Sequence, residues 1–448
     1  MGHGVKGTGV ACAVVIGLSG CMSDFGDSNL VSRMRAPETG VTETAAAPKT
    51  TAYASTDTKY DDKLNAESTI IQGLVSRRSI VPESSSFERV TTSVMAANNR
   101  AAESELKSAR LRAEAASKNW LPTIGPQISL TSLSSVVANL VVDQVIFDNG
   151  RKKGERAFAK ADVEVAAVAL AEDTNDRAAT ALTLYLAAAE GREKASLSET
   201  TFEDMSRFEY IMSERVRGGV SDRSDLNIIR QKLAEIRADL EANRETARTN
   251  LSELNAMAID PLTDVRGITR LPVTANAAQP LAVVRAEAEK TRAIAAASVD
   301  RASQLPGLSA RGTLGANGGV TVNGGGAQLG LGTGARLKSI EVAKETAGRL
   351  VLEATEDSNR ALKSLESQIA AKTRQTGEAT NLRQQAKQNL DLFQEQYRAG
   401  QRQVMDVVGV YETFARAQTS EVTTKYEAAR LRIEMARILG VLADGGQI

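Results

Sequence analysis

The pattern of apolar positions divides this chain into two kinds of segment. Leu226, Ile229, Leu233, Ile236 and Leu240 recur at spacings that alternate three and four, the heptad of a packed helix. Between Thr123 and Asp148 that period disappears. Ile128 to Ser135 and Val136 to Phe147 carry β-branched residues in partial alternation, which predicts a β-hairpin turning near Ser132 to Ser135. Prolines punctuate the rest. None of the nine falls within 127–260 or 307–448, so long uninterrupted helices are allowed there. Ser85 three residues before Glu88 reads as a capping box that opens a helix running to Trp120 and ending at Leu121-Pro122. A helical region then opens at Arg151 and continues to about Val216. At about 1.5 Å per residue this is about 100 Å of helix, more than a globular core requires.

The whole plan then occurs a second time. A helix from Leu281 ends at Leu305-Pro306, and a glycine-rich hairpin spans 306–335, against 122–149 in the first half. Another long helix runs from Leu337 to Arg398, and a last one ends near Leu442. The turns after the two long helices align without a gap: Glu214 with Glu395, Arg217 with Arg398, Gly219 with Gly400, Asp225 with Asp406. Glu172-Asp-Thr-Asn175 likewise matches Glu356-Asp-Ser-Asn359. Self-similarity at so long a period implies one duplicated helical unit. Its repeats cover 66–260 and 281–442, with tip turns at 217–225 and 398–406, a proline-containing linker at 261–280 and a tail at 443–448.

Composition narrows the function. Lys+Arg and Asp+Glu both number 55, leaving no net charge to attract nucleic acid. Residues 1–20 have the form of a signal peptide: Lys6 as a basic start, then a small apolar stretch from Thr8 to Gly20 too short to span a bilayer. The end, Leu18-Ser-Gly-Cys21, resembles a bacterial lipobox, in which Cys21 is acylated and becomes the mature N-terminus. The competing reading is an ordinary signal peptide with an incidental cysteine. Met22 in place of aspartate after that cysteine directs such a lipoprotein to the outer membrane. Residues 21–65 read as a flexible tether, rich in Thr, Ala and Ser. Cleavage removes His3, the sole histidine, and Cys12. The remaining chain lacks the residues of histidine-based zinc sites, Ser-His-Asp triads, Cys-His pairs and disulfides, and it has no Gly-x4-Gly-Lys-Ser/Thr run. The expectation is a protein that is not an enzyme and holds no cofactor.

Trp120-Leu-Pro-Thr-Ile-Gly125, Gln144-Val-Ile-Phe-Asp-Asn-Gly-Arg151 and Tyr397-Arg-Ala-Gly-Gln-Arg402 with Asp406, set in this duplicated order, resemble the TolC family of outer-membrane efflux channels. The resemblance covers about 66–442. It implies a mainly α fold of long antiparallel helical hairpins in two internal repeats, each with a β-hairpin. As a homotrimer, three chains would share a twelve-stranded barrel and a periplasmic α-helical tunnel. It implies passive conduction in a tripartite efflux or type I secretion system, with a periplasmic adaptor and an inner-membrane transporter as partners.

Asp406 matches the family's acidic ring at the tunnel axis; a second acid expected three residues on is Gly409 here, implying a single ring. Tyr397 and Arg402 match residues that latch the closed state onto Asp225, beside Ser224. Arg217, Gly219, Arg398 and Gly400 match the tip turns that adaptors touch. Two expectations compete with a full channel. The glycine-rich second hairpin offers little apolar surface, so a truncated barrel could merely touch the membrane, held by the Cys21 lipid. Alternatively, the chain is a lipid-anchored periplasmic coiled-coil scaffold without a transmembrane pore.

Overall fold

The computed structural model describes residues 68–97, 101–132, 135–314, 318–326 and 330–447; the signal segment, Cys21 and the tether lie outside them. A short helix α1 (Thr69–Val75) precedes α2 (Ser86–Ala96) and α3 (Ala101–Ser117). The first hairpin follows as β1 (Thr123–Ser132) and β2 (Ser135–Phe147), then α4 (Arg151–Arg217) and α5 (Arg223–Met257). The second half comprises α6 (Leu281–Ser303), β3 (Pro306–Leu314), β4 (Gly319–Gly326), α7 (Thr333–Arg398) and α8 (Val404–Leu439). The series α3-β1-β2-α4-α5 is thus repeated as α6-β3-β4-α7-α8. Where the sequence predicts one helix from Ser85 to Trp120, α2 and α3 are separate elements. Ser85 caps the Glu88 N–H at 3.1 Å, but the Glu88 carboxylate returns to the Ser84 N–H, so the box is closed one residue early.

With 67 and 66 residues, α4 and α7 each extend about 100 Å. They differ in surroundings. Helix α4 packs on α1, α2, α3, α5, α6 and α8, whereas α7 packs mainly on α6 and α8. Small residues on α4 (Ala161, Ala167, Ala171, Ala178, Ala181 and Ala188) are buried, and their size lets several neighbours approach one helix. The heptad residues of α5 behave as the spacing predicts: Leu226, Ile229 and Leu240 are buried, and Leu233 and Ile236 pack beside them.

The main core lies at mid-length, around Phe87, Tyr185, Leu254, Ile433 and Leu439. Phe87 meets Tyr185 edge to face with ring centroids 6.1 Å apart. Burying each such side chain contributes about 1.5–3 kcal/mol. The coil 258–280 lies against this core through Leu262, Val265 and Leu271 rather than hanging free. Arg177 on α4 donates to Val94 O at 3.2 Å and Met257 O at 3.0 Å, so one guanidinium satisfies the carboxyl ends of α2 and α5.

Residues 439–445 close on residues 77–80. Arg77 donates to Leu439 O and, at 2.8 Å, to Gln279 O; Ile80 N bonds Val441 O at 3.0 Å. Leu442 N bonds the buried Asn175 side chain at 2.8 Å. The matching Asn359 in the second repeat is exposed.

Candidate functional site: the sheet and the hairpin tips

The four strands form one antiparallel sheet in the order β1-β2-β3-β4. Its register sorts the residues by face. One cross-strand row is Ile124, Val142, Gly312 and Val320; the next is Pro126, Leu140 and Leu314; Leu308, Ala310 and Val322 lie on the same face. The intervening row is Thr123, Asp143, Arg311 and Thr321, with Gln127 opposite Asn139 and Ser309 opposite Asn323. Hence one face is mainly apolar, with Gln144 opposite Ala310 as its polar member, and the other is mainly polar, with Val141 and Val145 among its members. Arg311 and Asp143 pair at 2.7 Å on the polar face. On the apolar face Ile124, Ile128, Leu140, Leu308, Leu314, Val320 and Val322 are all exposed. A continuous exposed apolar patch of this kind requires a partner or an apolar medium.

The glycine-rich second hairpin adds to this face with two valines rather than with its glycines. Gly324 does share the apolar face, yet Val320 and Val322 continue it across β4. Trp120 and Phe147, both exposed, stand where the strands meet the helices. The outer edges of β1 and β4 pair with no other strand among the described residues. No described helix is long and apolar enough to cross a membrane.

At the opposite end of α4 and α7 the two tip turns are built alike. Gly219 N donates to Val216 O at 3.1 Å and Val220 N to Arg215 O at 2.8 Å. Gly400 N donates to Tyr397 O and Gln401 N to Gln396 O, both at 2.9 Å. Each is a Schellman termination, and its left-handed residue is glycine, at φ 72° and 75°. The duplicated aspartates then fall at the third position of the following helices. Asp222 caps α5, its side chain accepting from the Ser224 N–H at 3.2 Å, with Asp225 one residue later. Gln403 caps α8 in a capping box whose reciprocal bond runs from Gln403 N to Asp406 Oδ2 at 3.2 Å.

The residues expected at the gate divide into local groups. Asp406 and Ser224 are exposed; Asp225 and Tyr397 are half-buried, and Tyr397 packs on the tip core of Val404, Val407, Val408 and Phe414. Arg402 donates to Gln396 at 3.0 Å and lies 4.5 Å from the centre of the Phe393 ring. It therefore engages its own hairpin, and among the described residues no ion pair joins it to Asp225. Arg217 pairs with Glu214 one turn back, and Arg398 is exposed at the end of α7.

A ladder that the sequence reading missed fastens the two halves. Every acid in it is on α4 and every donor on α8. Asp176 meets Arg437 at 2.8 Å, Glu190 meets Arg430 at 2.5 Å, Glu193 meets Lys425 at 2.8 Å and Tyr426 at 2.9 Å, and Asp204 accepts from Tyr411 at 2.7 Å. Burial, reinforced by the adjoining carboxylates, pushes both phenols well above the ordinary tyrosine pKa. Partners more than 200 residues apart leave no local signal, so only the antiparallel register of α4 and α8 reveals them.

No protein-family model matches the sequence, and no curated protein matches it. Solved structures do. A membrane protein from Pseudomonas aeruginosa superposes with a TM-score of 0.70 at 15% identity, over 82% of this chain and 92% of that one. The outer-membrane channel OprN gives 0.69 at 14% identity, over 82% and 93%. The open state of the Neisseria gonorrhoeae MtrE outer-membrane channel gives 0.68 at 14%, over 80% and 90%. At these identities the likeness is one of architecture: the chain has the fold of these outer-membrane channels.

Proposed function

We propose that this chain is the outer-membrane channel of a TolC-type efflux or secretion system, working as a homotrimer. The observation that carries the reading is the sheet. It has one mainly apolar face, one mainly polar face and two edges that pair with no other described strand, at the end of two helices about 100 Å long. Open edges are not tolerated in lipid, and four strands cannot close a barrel. Pairing β4 of one copy with β1 of the next closes twelve strands, turns the apolar face to lipid and puts Asp143 and Arg311 toward the lumen. Strands of 10, 13, 9 and 8 residues approach the 9–11 that a tilted crossing takes. Trp120 and Phe147 suit the interface at the helical end. The sparsely covered face of α7 suits a neighbouring copy.

In this reading the helices form a tunnel through the periplasm. Arg217, Gly219, Arg398 and Gly400 present the tips to a periplasmic adaptor, which couples the channel to an inner-membrane transporter. Asp406 from three chains forms an acidic ring at the tunnel mouth. Tyr397 and Arg402 leave their own-hairpin contacts to latch onto Asp225 and Ser224 in a closed state. The lipid at Cys21 anchors the chain to the outer membrane.

The test is reconstitution of the lipidated full chain into planar bilayers, with particle symmetry determined by electron microscopy. Discrete conductance steps from threefold tubes are expected. A monomer that binds membrane and conducts nothing would overturn the channel and leave the coiled-coil scaffold.

A further inference from the structure

Away from the sheet and the tips, the coil 258–280 makes a tight turn at Val265-Arg266-Gly267, where Gly267 takes φ 90°. Three guanidinium groups from three elements meet there. Arg266 Nη1 donates to Val265 O at 2.9 Å, and Arg192 of α4 donates to the same oxygen at 3.3 Å. Arg89 of α2 holds Asp264 at 3.0 Å, and the charge of Arg266 also acts on that carboxylate. Beneath them the Tyr185 hydroxyl bonds Gly267 O at 2.7 Å, within the field of all three cations. The Ser86 and Thr269 hydroxyls sit 3.2 Å apart beside the same carbonyl.

The charges do not balance. Among the described residues no carboxylate lies within salt-bridge reach of Arg192 or Arg266, and Asp264 is the one carboxylate that meets the cluster. Arg192 Nε is buried and makes no hydrogen bond. Arg266 also donates to Thr263 O at 2.5 Å; with Arg192 it fills both lone pairs of the buried Val265 carbonyl, which brings two like charges together in partly desolvated surroundings. Arg89 and Arg266 remain exposed, so the cluster is open to solvent. An oxyanion between them would offset the repulsion through charge-assisted hydrogen bonds.

We propose that Arg89, Arg192 and Arg266, with the hydroxyls of Ser86 and Thr269, form a binding site for a phosphate-class oxyanion. Several acceptor oxygens in three dimensions match donors that come from α2, α4 and the coil together. The phosphate could be free or carried on a larger soluble polyanion. Asp264 acts as an internal competitor, occupying Arg89 until the anion arrives. The site is independent of conduction and stands or falls separately from the channel reading.

The test is isothermal titration of the full chain in detergent at low ionic strength. The probes are inorganic phosphate and short-chain polyphosphate, with potassium chloride at matched ionic strength as the control. Saturable phosphate binding is expected, weakened about tenfold or more in Arg266→Gln, the loss of one charge-assisted bond. Asp264→Asn, which frees Arg89, is expected to tighten binding several-fold; a merely structural cluster would give no such gain. Equal affinity per phosphate for both probes assigns a free anion, and much tighter polyphosphate binding assigns a polymer-borne one. No saturable heat with either probe, or wild-type affinity in Arg266→Gln, would overturn the site.

Discussion

Asp406 carries two separable duties, one local and one proposed for the assembly. Locally its carboxylate accepts from the Gln403 N–H at 3.2 Å and places negative charge in the first turn of α8. Such a capping bond is worth about 1 kcal/mol, and the charge at a helix start contributes about 0.3–1 kcal/mol. Asp406→Ala loses both, so the first turn of α8 should open with a free energy lower by about 1.3–2 kcal/mol, about ten- to thirtyfold in the opening equilibrium. Asp406→Asn keeps a carbonyl acceptor and loses only the charge, for a change of about two- to fivefold. Both variants remove the charge that an acidic ring would use. Hydrogen exchange of the amides at 403–407, Gln403 above all, reads the cap; single-channel conductance with divalent cations reads the ring. The expected result is graded exchange, Ala above Asn above wild type, with the same altered cation block in both variants. Wild-type exchange in the Ala variant would refute the capping role. Unchanged block in the Asn variant would remove Asp406 from any ring.

Other consequences are open to measurement. A Cβ at Gly400 would meet nothing within 4 Å, so Gly400→Ala should cost only the left-handed backbone penalty, about 1 kcal/mol, seen as faster exchange at the tip; a larger loss would mean that the space is occupied in the assembly. Val322→Arg should abolish membrane insertion, while Thr321→Arg, one residue away on the polar face, should be tolerated. A charge on the lipid face costs about 2–4 kcal/mol at the bilayer midplane, and equal tolerance of the two would argue against a spanning sheet. Burial raises the Glu172 pKa, with Arg285 at 2.8 Å opposing the shift. The folded chain therefore holds that proton more tightly than the unfolded one, and this residue's unfavourable contribution fades as pH falls through its folded pKa toward the ordinary carboxylate value. Denaturation of Glu172→Gln should show a flatter stability–pH curve in that window, and an unchanged slope would refute the assignment.

What could be read from the sequence was whatever depends on neighbours along the chain. Leu-Pro pairs marked where the helices before each hairpin end, the proline-free stretches allowed the long helices, and the paired Arg-x-Gly turns marked where those helices stop, because Schellman terminations and third-position acids are short-range devices. The faces of the sheet were harder. Glycine-rich β4 looks featureless alone; only its register against β3 sets Val320 and Val322 in line with Gly312 and Ala310. The break between α2 and α3 escaped notice because the stretch keeps a helical composition throughout. The Glu193–Lys425 and Asp204–Tyr411 contacts, and the meeting of Arg192 with Arg266, depend on which helix lies beside which. No spacing along the chain encodes that.

The closure of residues 77–80 onto 439–445 also bears on how the protein is made. Arg77 is made 362 residues before its partner Leu439, and Ile80 is likewise made long before Val441. Contacts of such high sequence separation form late and slow folding. The mid-body core stays incomplete until Leu442 has been made, leaving apolar surface to be shielded in the interim. A product ending before Leu439 lacks Leu439, Val441 and Leu442 and leaves that core open beside Phe87 and Tyr185.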